Sequence, residues 1–464
     1  MRSRARTSSD LKHDEKAKRQ ETDRIDAHEL EVASGTRTYV IVPVLTRRGA
    51  EHEAARAPAA KLEEAVGLAA AIDLSVVGSA IVNLGEIRPA TYIGKGKVDE
   101  IAGLVKAEEV TLVLMDCALS PVQQRNLEKA LGAKVIDRTG LILEIFGRRA
   151  RTKEGTLQVE LAHLNYQKGR LVRSWTHLER QRGGGGFLGG PGETQIESDR
   201  RLLQDRIIKL ERELEQVKRT RALHRSSRRK VPYPIIALVG YTNAGKSTLF
   251  NRLTKADVLA EDMLFATLDP TLRALKLPHG TKAILSDTVG FISDLPTMLV
   301  AAFRATLEEV LEADVILHVR DISHGDTEAQ ASDVRTILTS LGVDPDDKGR
   351  LIEVWNKIDL LDDAARDGLM TASLREGEGR PIVVSAMTGE GLPVLLDRVE
   401  ALVSAGRIVL TITLTPSDGA GIAWLHERCD VLSREADPDG NQHVTVRVPP
   451  ERLDQVRRRF QIPA

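Results

Sequence analysis

Apolar residues recur along the chain in two rhythms, and the points where one gives way to the other mark its parts. Tyr39-Val-Ile-Val-Pro-Val-Leu45, Thr111 to Met115 and Lys134 to Ile136 are apolar runs of strand length, alternating with helical stretches at Val98 to Glu108 and Pro121 to Leu131. Ala65 to Leu84 is too interrupted by Asp73, Ser75, Ser79 and Asn83 to span a membrane and predicts a helix followed by a strand. That alternation predicts an α/β domain with a parallel sheet over residues 38–150. The rhythm then changes. Leu157, Leu161, Leu164, Leu171, Trp175 and Leu178 follow a 4-3 heptad spacing with Lys168 at the skipped seam position, and Ile196, Leu203, Ile207, Leu210, Leu214 and Val217 repeat it with Arg200 at the skip. Two apolar stripes must face something, and the connection Gly183 to Gly192 holds seven glycines in ten residues. The simplest arrangement over 151–230 is an antiparallel helical hairpin with a glycine-rich tip. A bare linker is the alternative, and Phe187 and Leu188 would be out of place in one.

Residues 231–404 return to strands that each end in polar residues. Ile235-Ile-Ala-Leu-Val239 runs directly into Gly240-Tyr-Thr-Asn-Ala-Gly-Lys-Ser247, a buried strand feeding a phosphate-binding loop and a helix. Backbone N–H groups of Gly240, Asn243, Ala244, Gly245, Lys246, Ser247 and Thr248 would cradle phosphate, with Lys246 between the β- and γ-phosphates and the Ser247 hydroxyl on Mg²⁺. Thr267, in Phe265-Ala-Thr-Leu-Asp-Pro-Thr271, is placed to bring a second hydroxyl to the metal. Asp287-Thr-Val-Gly290 closes the strand Lys282 to Ser286, its carboxylate a metal ligand through water and the N–H of Gly290 a sensor of the γ-phosphate. Lys246, Thr267 and Gly290 are thus the expected catalytic groups. Asn356-Lys-Ile-Asp359 follows another strand, and a carboxylate at Asp359 accepts from the N1–H and 2-amino groups of guanine, neither of which adenine offers. Ser385-Ala386, after Pro381 to Val384, closes the base pocket. Singly these are common loop sequences. In this order, each at a strand end, they resemble the TRAFAC-class GTPases.

The residue after Gly290 is Phe291, where many small GTPases carry a Gln that orients water. Slow intrinsic hydrolysis is expected, completed by a partner surface, unless Phe291 is simply a core residue of the switch. A non-catalytic, GTP-gated scaffold stays open on the same ground, whereas an ATP-driven RNA helicase or chaperone is disfavoured by Asp359.

Charge singles out the hairpin. From Arg148 to Lys230 there are 21 Lys/Arg against 10 Asp/Glu, in a chain of 464 residues whose net charge is −1. Arg148, Arg149, Arg151, Arg170, Arg173, Arg180, Arg182, Arg200 and Arg201 carry much of the excess, an electrostatic footprint for a polyanion. RNA is the expected polyanion, because an elongated probe suits a folded, cleft-bearing target. Its contacts are expected at Arg180, Arg182, Gly183, Phe187, Leu188, Arg200 and Arg201. Tyr92-Ile-Gly-Lys-Gly-Lys97 is either a second phosphate contact or an ordinary βα turn.

The remaining segments add boundaries. Residues 1–37 are polar, with eight Lys/Arg and eight Asp/Glu before position 37 and few aliphatics, and predict a disordered tail without a secretory signal. Cys117 and Cys429 form no metal or redox pattern and suit a reducing cytosol. Beyond 405, a strand at Ile408 to Thr413, a helix at Gly421 to Val431, a strand at His443 to Val448 and a helix at Pro450 to Phe460 predict a small α+β domain that either docks on a partner or caps its neighbour. The fold class is α/β: a P-loop GTPase domain, an N-terminal α/β domain, a helical hairpin and the C-terminal α+β domain.

Pro89-Ala-Thr-Tyr-Ile-Gly-Lys-Gly-Lys97, Asp137-Arg-Thr-Gly140, Ala150-Arg-Thr-Lys-Glu-Gly155 and Gly189-Gly-Pro-Gly-Glu-Thr-Gln195, with the GTPase motifs, resemble the HflX-type ribosome-associated GTPases of the Obg-HflX group over nearly the whole chain after the tail. The resemblance implies a cytoplasmic, monomeric, Mg²⁺-dependent GTPase with no membrane partner. It also implies binding to the large ribosomal subunit, a hairpin that reaches the peptidyl-transferase region of its RNA, and splitting or rescue of stalled ribosomes under stress.

Overall fold

The computed structural model describes residues 34–46, 56–181, 191–228, 233–255, 264–265, 271–294, 307, 309–375, 380–405, 408–438, 440–448 and 450–462. The first sheet is four-stranded and parallel, in the order β2-β1-β3-β4, from β1 (Arg37–Leu45), β2 (Ser75–Leu84), β3 (Leu112–Met115) and β4 (Lys134–Asp137). The parallel sheet expected from the alternating pattern is therefore present, and both of its faces are covered, as parallel sheets require. Alternate β1 residues divide between the layers. Val40 and Val42 pack with Leu68 of α1 (Pro58–Ala70) and Ile142 and Phe146 of α4 (Arg138–Arg149). Tyr39 and Ile41 pack with Val98 and Ile101 of α2 (Lys95–Ala107) and Leu127 of α3 (Pro121–Leu131). The Lys95-Gly-Lys97 stretch is the first turn of α2, and Lys97 pairs with Glu100 at 2.6 Å.

Two long helices follow, α5 (Lys153–Gln181) and α6 (Pro191–Arg228). Leu157, Leu161 and Leu164 meet Leu210, Leu214 and Val217, so these parts of the two stripes face each other antiparallel, while the side chains of Leu171, Trp175, Leu178 and Ile196 lie outside the described residues. Lys168, at the skipped seam position, donates to Gln204 Oε1 at 2.5 Å, and Arg206 pairs with Glu160. Hydrogen bonding lets a lysine occupy an apolar seam without stranding its charge.

The second sheet has the order β10-β9-β8-β5-β7-β6. Strands β5 (Ile235–Gly240), β7 (Lys282–Asp287), β8 (Val315–Asp321), β9 (Leu351–Asn356) and β10 (Ile382–Val383) are mutually parallel, while β6 (Thr271–Lys276) pairs antiparallel with β7. Its apolar layers are not all its own. Ala237, Val239, Tyr241, Phe291, Ile292 and Val310 join Val40, Leu68 and Phe146 of the first domain in one continuous core.

The C-terminal unit is a three-stranded antiparallel sheet, β11 (Ile408–Leu414), β13 (Gln442–Val448) and β12 (Asp430–Ala436), with helices α11 (Gly419–Arg428) and α12 (Pro450–Phe460), the helices of the GTPase sheet being α7 (Lys246–Thr254), α8 (Thr327–Ser340), α9 (Asp363–Arg375) and α10 (Leu392–Ser404). One expected element is corrected here: the helix over Gly421 to Val431 stops at Arg428, Cys429 is extended, and Val431 belongs to β12. Pairing of Asp430 to Ala436 with β13 supplies those residues with ladder partners that local pattern does not show. Arg447 of β13 donates to Thr281 Oγ1 and lies 3.8 Å from Glu400, which places this unit against the GTPase domain.

Candidate nucleotide-binding site

The loop from Gly240 to Ser247 leaves the carboxyl end of β5 at the centre of the sheet and feeds α7, so successive backbone amides converge where the helix begins. Gly245 has φ +89°, and a Cβ there would lie 2.3 Å from Asn356 Nδ2, so only glycine fits. Lys246 is buried and donates to the Tyr241 carbonyl at 2.6 Å. Burial disfavours its ammonium form and lowers its pKa to about 8, with Asp287 pulling upward and Lys357 downward.

Ser247 Oγ donates to Asp287 Oδ2 at 2.7 Å, and Asp287 is fully buried. A hydroxyl and a carboxylate so close form a hard oxygen donor pair that fits Mg²⁺. Gly290 lies beside them: a Cβ on it would meet Thr242 Cγ2 at 2.9 Å and Lys246 Nζ at 3.1 Å. The backbone of Gly290 therefore passes so close to Thr242 and Lys246 that a larger residue would crowd both. Phe291 is 1% exposed within the shared core, with its N–H donating to Gly240 O at 3.1 Å and its carbonyl accepting from Thr242 N at 2.7 Å. It is a core residue of the switch, and its ring cannot orient a nucleophile.

At the other end of the loop, Asn356 ties three motifs together. Its Nδ2 donates to Ala244 O at 2.9 Å and its Oδ1 accepts from Ala386 N at 3.0 Å. Lys357, at φ +69°, pairs with Asp321 at 2.8 Å, and Ser385 Oγ accepts from Thr388 N at 3.0 Å. Asp359 is exposed rather than buried, in a single 3-10 turn. Its carboxylate is therefore open to water and carries no penalty of burial. Asn243 is exposed and Thr248 half-buried along the same rim.

Several sequence-derived candidates fall elsewhere. Thr267 and the tip residues Arg182, Gly183, Phe187 and Leu188 lie outside the described residues. Arg200 and Arg201 are exposed on α6, and Arg180 lies in the last turn of α5. Arg170 does not join the polyanion-facing set: its guanidinium donates to Asp137 at 2.6 Å and stacks on Tyr166 at 4.2 Å, fastening α5 to the first domain. Tyr166 also donates to Asp137, at 2.6 Å.

A cluster that the motifs do not announce sits behind the phosphate loop. Glu64, Arg138, Arg56, Tyr241 and Ser293 are joined by hydrogen bonds, with Asp116 and Asp326 at its edges. Burial alone would raise the Glu64 pKa, but Arg138 and Arg56 outweigh it and hold the carboxyl below its ordinary value. Arg138 lies in Asp137-Arg-Thr-Gly140, so the segment was visible in the sequence; its partner across 155 residues, Ser293, was not.

A central parallel strand, a phosphate loop at its carboxyl end, and an Asn-Lys-X-Asp segment bonded to that loop define a P-loop GTPase. Residues 59–147 match the family described as GTP-binding GTPase N-terminal, 149–228 its middle region, 235–357 the 50S ribosome-binding GTPase family and 372–462 the HflX C-terminal domain. The GTPase HflX of Magnetococcus marinus is 53% identical over 371 residues, covering 80% of this chain and 84% of that protein. That of Escherichia coli is 47% identical over 363 residues, covering 78% and 83%. Among solved structures, the SsGBP–GDP complex is 26% identical and covers 80% of this chain and 99% of that one, with a TM-score of 0.46. The chain belongs to the HflX family of GTPases, and it binds and hydrolyses GTP. Among the described residues no helix is long and apolar enough to cross a membrane.

Proposed function

We propose that this GTPase is a monomeric cytoplasmic factor that binds the large ribosomal subunit through the α5–α6 hairpin and splits or rescues stalled ribosomes under stress. The observation that carries the reading is the joining of a phosphate-binding loop to helices of 29 and 38 residues paired by an apolar seam, with the basic excess of the chain concentrated on them. A 38-residue helix extends about 57 Å, enough to carry a tip far from the nucleotide. The match of residues 235–357 to a 50S ribosome-binding family supports the same partner.

At the site, amides of residues 243–248 hold the β-phosphate and Lys246 bridges to the γ-phosphate. Ser247, Asp287 and Thr267 would hold Mg²⁺, which supplies positive charge to the phosphate oxygens when bound. Gly290 N–H contacts the γ-phosphate, and Asp359 selects guanine while Asn356, Ser385 and Ala386 fix the base loops. Phe291, held in the core, offers no hydrogen bond to a water, and in this proposal the ribosome supplies the group that orients it. Purified protein should hydrolyse GTP slowly, and large subunits should accelerate it by at least about tenfold, a barrier change of about 1.4 kcal/mol. Lys246→Ala should abolish both rates. Fast turnover that is indifferent to ribosomal subunits would refute the proposal.

A further inference from the structure

The first domain reaches into the switch that carries Gly290. Glu64 Oε1 accepts from Arg138 Nη2 at 2.6 Å and from Ser293 Oγ at 3.0 Å, while Oε2 accepts from Arg56 Nη1 at 2.6 Å and from the Tyr241 hydroxyl. Arg138 also donates to the Ser293 carbonyl at 2.9 Å and to Asp116 at 2.5 Å. The Ser293 N–H donates to the Tyr241 hydroxyl at 2.8 Å. Every polar group of Ser293 is thus engaged by the cluster, three residues beyond Gly290. Phe291, between them, is bonded through its backbone to Gly240 and Thr242. The switch segment is held at Phe291 by the phosphate loop and at Ser293 by the first domain together with Tyr241.

The same domain touches the segment that leads to Thr267. Phe265 meets Phe146 of α4 edge to face at 4.7 Å between ring centres, and Leu264 packs on the shared core. Glu64, Arg138 and Ser293 are each less than a tenth exposed, and buried charges tolerate the loss of a partner poorly. Small shifts of Gly290 must therefore either break this cluster or carry it along.

We propose that Glu64 and Arg138 are positioning residues for GTP: they fix Ser293, and through it the amide of Gly290, at the lysine face that receives the γ-phosphate. Docking of the first domain and binding of triphosphate are then linked, and by reciprocity whatever loosens one weakens the other. GDP should be less affected, because the phosphate loop meets the cluster through the Tyr241 side chain, whereas Gly290 and Ser293 lie on the switch itself. The inference rests on the reading of Gly290 as the γ-phosphate contact.

The test uses the full-length chain and its Glu64→Gln, Ser293→Ala and Gly290→Ala variants. It compares affinities for GDP and for a non-hydrolysable GTP analogue and separates kcat from KM. Glu64→Gln keeps the side-chain volume, and Ser293→Ala removes a single hydroxyl, so one can fail to fold without taking the other with it. Both should bind GDP within about twofold of the parent, lose about fivefold or more in GTP-analogue affinity, and fall in kcat. If Gly290→Ala shows that selective loss while both cluster variants keep the parental GTP-to-GDP ratio, the positioning role is overturned and the γ-phosphate reading stands. If Gly290→Ala leaves the ratio unchanged, that reading fails and the inference with it. Equal loss of both nucleotides in Ser293→Ala would make the cluster a general scaffold and overturn the proposal.

Discussion

At the scale of single residues, the site depends on a lysine that is poorly solvated before nucleotide arrives. With burial lowering its pKa to about 8, Lys246 is mostly charged at pH 7 and mostly neutral at pH 9. Triphosphate favours the ammonium form, so binding takes up a proton above the free-state pKa. Affinity should fall as pH rises through 8, by up to about tenfold per unit for one proton. Calorimetry at pH 8.5 in buffers of different ionisation enthalpy should reveal the uptake, and a flat affinity from pH 7 to 9 would contradict it. Asp359 gives a second prediction. Asp359→Asn should lose GTP affinity and gain xanthosine triphosphate, whose 2-oxo group accepts from the amide. Equal GTP affinity in parent and variant would remove Asp359 from the base pocket. Both residues are legible in sequence because their motifs are contiguous and sit at strand ends. Glu64 was not, because its contact with Ser293 spans 229 residues and a lone carboxylate on a helix face has no local signature.

Among the elements, the hairpin was foreshadowed by its heptad spacing, which reports a mutual apolar seam directly. Strand β12 was not, since Asp430-Val-Leu-Ser-Arg-Glu-Ala436 becomes a strand only through its pairing with β13. Arg170 counts toward the basic excess, but charge counting cannot see that Asp137 already holds it. The seam predicts that the arm survives loss of its tip. Replacing residues 183–192 with a short Gly-Ser turn should leave GTP binding intact, because loop length costs little when flanking helices pair. Subunit dissociation should be lost, and dissociation at the parental rate would make the tip a passive connector. Charge reversal at Arg180, Arg182, Arg200 and Arg201 should weaken subunit pelleting and flatten its salt dependence, since each neutralised phosphate releases counterions. An unchanged salt slope would place the RNA contacts elsewhere.

For the whole molecule, the continuous core from Val40 and Leu68 through Phe146 to Tyr241, Phe291 and Val310 should make the first and GTPase domains unfold as one unit. GDP at about a hundred times its Kd should add about 2.7 kcal/mol to that unit. Amide exchange at Val40 and Val42 in β1, which belongs to the first sheet and not to the one that carries the phosphate loop, should slow with it. Protection confined to strands of the second sheet would show that the domains unfold separately. The shared core also has a consequence in time. On the ribosome that makes this protein, Leu68 and Phe146 emerge long before the residues that cover them. Phe291 and Val310 follow Phe146 by well over a hundred positions, roughly 7–30 s of synthesis at about 5–20 residues/s. During that interval the α1–α4 face is bare, and nascent chains arrested near the end of α6 should be held by chaperones that bind apolar surface, whereas chains long enough to expose all of α8 should not. Equal chaperone occupancy at both lengths would mean that the early domain shields itself until its partner arrives.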